Sequence, residues 1–118
     1  MAFNIIARNQ DDHVKNIAFL MDRTGQWQLA PAFDVTYSYN PAGEWTSSQQ
    51  MSMNGRRDGF TLEDFTAAEK SAILKRGRGR AIVREVQAAV GAWPECAAAA
   101  GVPEETAVRI GKTFRTIA

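Results

Sequence analysis

Two carboxylates, the only histidine of the chain, an ammonium and a carboxamide crowd into the stretch Asp11-Asp12-His13-Val14-Lys15-Asn16. Farther along, Asp34 closes the apolar lead-in Ala30-Pro31-Ala32-Phe33. Asp11, Asn16 and Asp34 form a set that phosphoryl transfer uses. One carboxylate orients or deprotonates an attacking hydroxyl, while an amide oxygen and a second carboxylate hold magnesium on nucleotide phosphates. Lys15 would offset charge developing on the transferred group. The step from Asp11 to Asn16, followed by a hairpin and then Asp34, is the spacing of a protein-kinase catalytic loop and its metal-binding aspartate. Asp12 lacks that step to Asn16, so Asp11 is the expected base. A metal-dependent hydrolase using Asp11, Asp12, His13 and Asp34 is the weaker reading, because a tight zinc site needs more histidine or cysteine than this chain has.

These residues need a scaffold that brings Asp34 back to the loop. Residues 2–7 (AFNIIA) open apolar at once and read as the last turns of a buried helix. A polar loop follows over 8–16. The segments IAFLMD (17–22) and WQLA (27–30) flank RTGQ, whose Thr-Gly suits a tight turn, predicting a β-hairpin within 17–34. A hairpin returns the chain to its starting end, so Asp34 faces the loop. Residues 35–60 are broken by Asn-Pro, Ala-Gly and Asn-Gly and predict irregular structure, with a short strand at Met51–Met53. A helical bundle is expected over 61–118. Thr61 with Asp64 resembles a capping box, although that box favours Glu or Gln. A second helix is predicted from about Gly79 to Ala92, with Ile82, Val83, Val86, Ala89, Val90 and Trp93 on one face. Pro94 and Gly101 bracket a short third helix. Pro103 opens a last one with a buried stripe of Ala107, Ile110, Phe114 and Ile117. The expectation is one domain over 1–118, mostly α with a short β-hairpin.

The bulk properties exclude several classes. A net charge of +1 leaves no overall field to recruit nucleic acid or an anionic membrane. Cys96 has no partner for a disulfide, fits a reducing cytoplasm, and is expected as a small core residue. No apolar run approaches a membrane span, and the first residues lack signal-peptide features. The basic runs KRGRGR (75–80) and NGRRDG (54–59) read as an exposed connector and a charged turn. Contact of the second with a phosphorylated partner stays open. Trp27, Trp45 and Trp93 are expected to pack in cores or under loops.

RNQDDHVKNIAFL, WQLAPAFDVTYS and QMSMNGRRDGF together resemble the C-terminal half of HipA-family serine/threonine kinases, bacterial toxins of toxin–antitoxin systems, and WPECAAAAGVPEETAVRIGKTFR resembles that family's terminal helices. The resemblance implies the C-terminal lobe portion of a protein-kinase-like (α+β) fold. It makes Asp11 the catalytic base and Asn16 and Asp34 the magnesium ligands. His13, Val14, Lys15 and Asn16 would line the ATP phosphates, with Phe33 beside Asp34, where a tyrosine is common in the family. It implies ATP and Mg2+ as cofactors, a helix-turn-helix antitoxin as partner with DNA contacted only through it, and an aminoacyl-tRNA synthetase as the substrate class. The 118 residues contain neither a glycine-rich phosphate loop nor a strand lysine, so an N-terminal kinase lobe is a further expected partner. A non-enzymatic interaction module is the competing expectation.

Overall fold

The computed structural model describes residues 1–118. Five helices, α1 (Ala2–Ile6), α2 (Leu62–Ser71), α3 (Arg78–Gly91), α4 (Trp93–Ala99) and α5 (Glu104–Gly111), account for most of the regular structure. The only sheet is an antiparallel hairpin of β1 (Phe19–Met21) and β2 (Trp27–Leu29), in register Phe19–Leu29, Leu20–Gln28 and Met21–Trp27. Both strands are shorter than the expected 17–22 and 27–30. The turn is closed by Asp22, whose carboxylate accepts from the Thr24 and Gln26 amides at 2.8 and 3.0 Å, and by Gly25 at φ +82°. A left-handed residue there costs glycine nothing.

The core is small and lies where the helices meet the chain ends. Ile5 and Ile6 of α1, Phe60, Phe65 of α2, Val83 of α3 and Ile117 form one buried cluster, edged by Leu62, Val86 and Val90. Its apolar positions in α3 follow most of the predicted face, with Val83 fully buried and Ile82, Val86 and Val90 half-buried, whereas Ala89 is exposed. The α2–α3 junction explains the glycines of GRGR. Glu69 accepts from the amides of Gly77 (3.0 Å) and Gly79 (2.7 Å), satisfying donors at the start of α3 that have no helical partner. A Cβ on Gly79 would lie 2.6 Å from the Phe65 carbonyl oxygen, so only glycine allows this approach of α3 to α2.

Asp64 does more than cap α2. One carboxylate oxygen accepts from the Thr61 amide (2.8 Å) and hydroxyl (3.1 Å), and the other from the Asn54 side chain (2.8 Å), with Arg56 at 3.3 Å. The shorter aspartate thus serves both the helix start and the turn Met53–Arg56, in which Asn54 (φ +52°) and Gly55 (φ +74°) both have positive φ, as a tight hairpin-type turn demands. Arg57, although exposed, donates to the Gln49 carbonyl at 2.7 Å.

Several expectations are corrected. The strand at Met51–Met53 reduces to one isolated bridge between Met53 and Arg56. The last helix stops at Gly111, so Phe114 and Ile117 belong to a tail rather than a helical stripe. That tail is laid on α1 and α3 by the Arg115 amide to Ile6 (3.0 Å) and the Ile117 amide to Gln87 (2.6 Å). Cys96 is exposed, because the buried position of α4 is its neighbour Ala97. Trp27 and Trp45 are exposed as well, and only Trp93 packs, edge-on to Phe114 with its indole donating to the Ala107 carbonyl at 2.8 Å.

The hairpin stands apart from the bundle. Phe19, Leu20, Met21, Trp27 and Leu29 are all exposed, and β1 and β2 pack only on each other. Accordingly the radius of gyration, 15.7 Å, exceeds the roughly 13.5 Å of a compact chain this long. No helix is long and apolar enough to cross a membrane.

Candidate active site

The loop 8–16 leaves α1 through Arg8, a left-handed residue at φ +59°, and ends in a single 3-10 turn at Val14–Asn16. That turn points the Asn16 side chain toward the end of the hairpin. The Asn16 amide nitrogen donates to the Asp34 carboxylate at 2.6 Å, and its Oδ1 accepts from the His13 amide at 3.1 Å. So the hairpin does return Asp34 to the loop. Asp34 itself sits at φ +53°, a conformation that aspartate tolerates better than most residues, and its carbonyl accepts from the Asn9 side chain at 3.3 Å.

Around this pair runs a cleft of about 470 Å³. His13, Asn16, Phe33 and Asp34 line it, together with apolar residues that include Phe3, Ile17, Leu29 and Pro31. Asp11, Val14 and Lys15 are exposed and lie outside that lining. Asn16 and Asp34 are therefore the predicted residues that the fold joins directly. Asp12 is disposed otherwise: it is buried, Oδ1 accepts from the Gln50 amide at 2.8 Å, and Oδ2 has no partner. The Nδ1 atom of His13 is likewise buried and unpartnered.

The loop is fastened from beneath by side chains that carry no catalytic signature. Ser38 Oγ accepts from the Gln10 amide (2.9 Å) and the Asp11 amide (3.0 Å) and donates to Asn9 Oδ1 (3.0 Å). The Ser38 amide donates in turn to the Arg8 carbonyl at 3.1 Å. Gln49 reaches the Asn9 carbonyl at 3.0 Å, and the Gln10 side chain reaches the Thr46 carbonyl at 2.9 Å. Asn9, Gln10, Asp12 and Gln49 are all at most 3% exposed, which for polar side chains requires partners of this kind. Asn9 thus ties the backbone beneath Asp11 to Asp34 through Ser38.

Asp34 offers a carboxylate at the wall of an open cleft, a hard oxygen donor of the kind magnesium takes, whereas Asn16 turns its amide nitrogen to that carboxylate and gives its oxygen to the His13 amide. No group of three or more histidine, cysteine, aspartate or glutamate side chains converges anywhere in the chain.

Against known families, a model described as the HipA-like C-terminal domain matches residues 1–93. The chain belongs to that family. In this HipA-like domain the match runs from α1 through α3 to Trp93, so it contains the loop, the hairpin, the cleft and the polar segment beneath them. Most of α4, α5 and the tail lie beyond it. Comparison with curated proteins and with solved structures returned no match.

Asn9, Ser38 and Gln49 were not visible as functional residues in the HipA-like sequence. Their only trace is that RNQ precedes the acidic pair, and polar residues in a polar loop give no hint that they are buried.

Proposed function

We propose that this HipA-like domain is the catalytic-lobe portion of an ATP-dependent serine/threonine protein kinase of a toxin–antitoxin system, within a protein-kinase-like fold. The contact of Asn16 with Asp34 at 2.6 Å on the cleft wall carries the reading, since it brings together the amide and the carboxylate that would hold a nucleotide-bound magnesium once the Asn16 oxygen turned to the ion. Bound there, magnesium would neutralise charge on the β- and γ-phosphates of ATP. His13 and the 3-10 turn would bound the phosphate end of the cleft, and Phe33 would flank Asp34. Asp11, on the exposed side of the anchored loop, would accept the proton of a substrate serine or threonine. Burial of Asp12 against Gln50 supports that assignment, because it leaves Asp11 as the solvent-facing carboxylate of the pair.

A complete active centre needs a glycine-rich loop and a strand lysine over the phosphates. These residues have neither, so the 118-residue chain alone would be inactive and would regain phosphotransfer with an N-terminal kinase lobe. An aminoacyl-tRNA synthetase substrate and a helix-turn-helix antitoxin, through which alone DNA would be contacted, belong to the same proposal, as does a cytoplasmic setting. One observation favours a second reading, an interaction module without catalysis: the apolar hairpin is exposed on both faces, as a docking element would be.

The test is an NMR titration of the labelled chain with magnesium-ATP. Magnesium-dependent shifts centred on residues 13–16 and 33–34 are expected, and they should vanish in Asp34→Asn, which keeps the left-handed tolerance and loses the charge. Mixed with an N-terminal lobe, the chain should transfer phosphate, and Asp11→Asn should abolish transfer while leaving the shifts. A dispersed spectrum without shifts together with an inactive mixture would overturn the kinase reading in favour of the interaction module, whereas an active Asp11→Asn mixture would overturn the assignment of Asp11 as the base.

A further inference from the structure

Behind the catalytic loop, on a different wall from the cleft, a second concavity of about 510 Å³ is lined by Arg8, Tyr39, Asp58, Lys112, Arg115 and Thr116 among others. Its two guanidiniums are built in. Arg8 stacks on the Tyr39 ring at 4.3 Å and donates to the Thr113 carbonyl (2.7 Å) and Gln10 Oε1 (3.0 Å). The side chain of Arg115 is only 10% exposed. It reaches the Ile5 carbonyl (3.4 Å) and Gln49 Oε1 (3.3 Å) and pairs with Asp58. All but one of these acceptors are neutral oxygens. Arg8 keeps its Nη2 and Arg115 its Nε without a hydrogen-bond partner, and Asp58 is the one carboxylate set against the two charges.

The electrostatics agree. Burial, and then the neighbouring Arg8, push the Arg115 guanidinium below its ordinary value, against the attraction of Asp58 and, from behind the loop, of Asp12. Counting the lining, Arg8, Arg115 and Lys112 face the single carboxylate of Asp58, which is 61% exposed and accessible to water. Positive charge concentrated in a concavity attracts an anion more strongly than the same charge spread on a convex surface. Guanidiniums in particular match the oxygens of a phosphate group.

We propose that this concavity binds a phosphate monoester dianion, held by the free edges of Arg8 and Arg115 and by Lys112. A dianion matches the excess of cations, whereas a carboxylate would meet only part of it. Since Arg8 opens the loop that carries Asp11, the site adjoins the proposed catalytic machinery without sharing a residue with it, and its occupancy does not depend on the kinase assignment. The same chemistry occurs on free phosphate and on a phosphorylated serine or threonine, and the experiment separates these sources.

The labelled chain would be titrated with inorganic phosphate, with a short phosphoserine peptide and with acetate, all at constant ionic strength. Expected are saturable shifts of the Gly59 and Lys112–Thr116 amides and of the Arg8 and Arg115 side-chain Nε–H groups. Lys112→Ala should weaken phosphate binding about threefold, and Asp58→Asn, by removing the competing carboxylate, should tighten it by a similar factor. Both residues are exposed, so the fold survives either change, and a dispersed spectrum verifies this. Tighter binding of the phosphopeptide than of phosphate would identify a protein-borne ligand, and the reverse order free phosphate. Absence of saturable shifts, equal response to acetate, or indifference to both substitutions would overturn the proposal.

Discussion

Deleting one hydroxyl should loosen the whole of the loop 8–16. Ser38 Oγ uses its full capacity, accepting from the Gln10 and Asp11 amides and donating to Asn9 Oδ1. In Ser38→Ala, the Asp11 amide lies on the exposed side and finds water. The other two groups have no such recourse, since Gln10 is fully buried and Asn9 is 3% exposed. A buried group left without its partner costs about 1–3 kcal/mol. Two such groups, with some relaxation, give about 2–4 kcal/mol, or a melting temperature lower by about 10 °C for a chain of this size. Urea unfolding followed by tryptophan fluorescence measures the loss. Exposed Ser52, which makes no side-chain hydrogen bond, supplies the matched Ser52→Ala control. Hydrogen exchange localises the effect, and the Gln10 amide should lose protection before the helical amides do. If Ser38→Ala unfolds within about 0.5 kcal/mol of the parent chain, the network is not what holds the loop, and the account of its anchoring fails.

Two further tests address the bundle. Gly79→Ala should destabilise by about 2–3 kcal/mol, because its new Cβ would meet the Phe65 backbone at 2.6 Å. Gly91→Ala, in the same helix with nothing within 4 Å, should instead stabilise by about 0.5–1 kcal/mol, and like signs from denaturant titration would discredit the packing argument. Acid should weaken the fold through Asp64 and Glu69. The Asn54 side chain, then Thr61 and Arg56, hold the Asp64 carboxyl below the ordinary range, and the Gly79 and Gly77 amides do the same for Glu69. A depressed folded value means that their contribution is fully present above the unfolded pKa of about 4 and is lost as pH falls through the folded values. Stability measured across this range should drop below about pH 4, and Asp64→Asn should flatten that drop.

How much of this was legible depended on the kind of signal. Elements announced by periodicity or by turn chemistry are where the sequence places them: α3 by its apolar face, the hairpin by Thr-Gly, and α2 by Thr61 and Asp64. The last stripe failed for a physical reason. Phe114 and Ile117 sit at helical spacing from Ile110, but the tail buries Ile117 by running back along α1 instead, a tertiary choice that spacing does not encode. Cys96 failed similarly, since an alanine-rich helix offers several small residues for one buried position, and that position is Ala97. At the site, the meeting of Asn16 with Asp34 was readable because a hairpin returns the chain to its starting end. The spacing to Asn16 singled out Asp11 over Asp12 but said nothing of their surroundings. Their opposite burial depends on Gln50, far along the chain, which no local pattern reveals.

The segment 35–60 shows why an irregular stretch can be as constraining as a helix. A loop that must present Asp11 and Asn16 outward cannot satisfy its backbone groups within itself, and it is too polar to be pinned by an apolar core. Its partners must come from elsewhere, and they do: Ser38 takes two of its amides and a side chain, and Thr46, Gln49 and Gln50 each take one further group. A segment that follows the loop in this way cannot be a regular helix or strand, because its own amides and carbonyls are committed outward at irregular intervals. Such a buried polar network rigidifies when complete and is costly when one member is missing. The absence of periodicity in 35–60 is thus a consequence of what the segment does. Substitutions there should disturb the loop more than equal changes on the exposed face of α3, where Arg84 and Glu85 have no hold on the site.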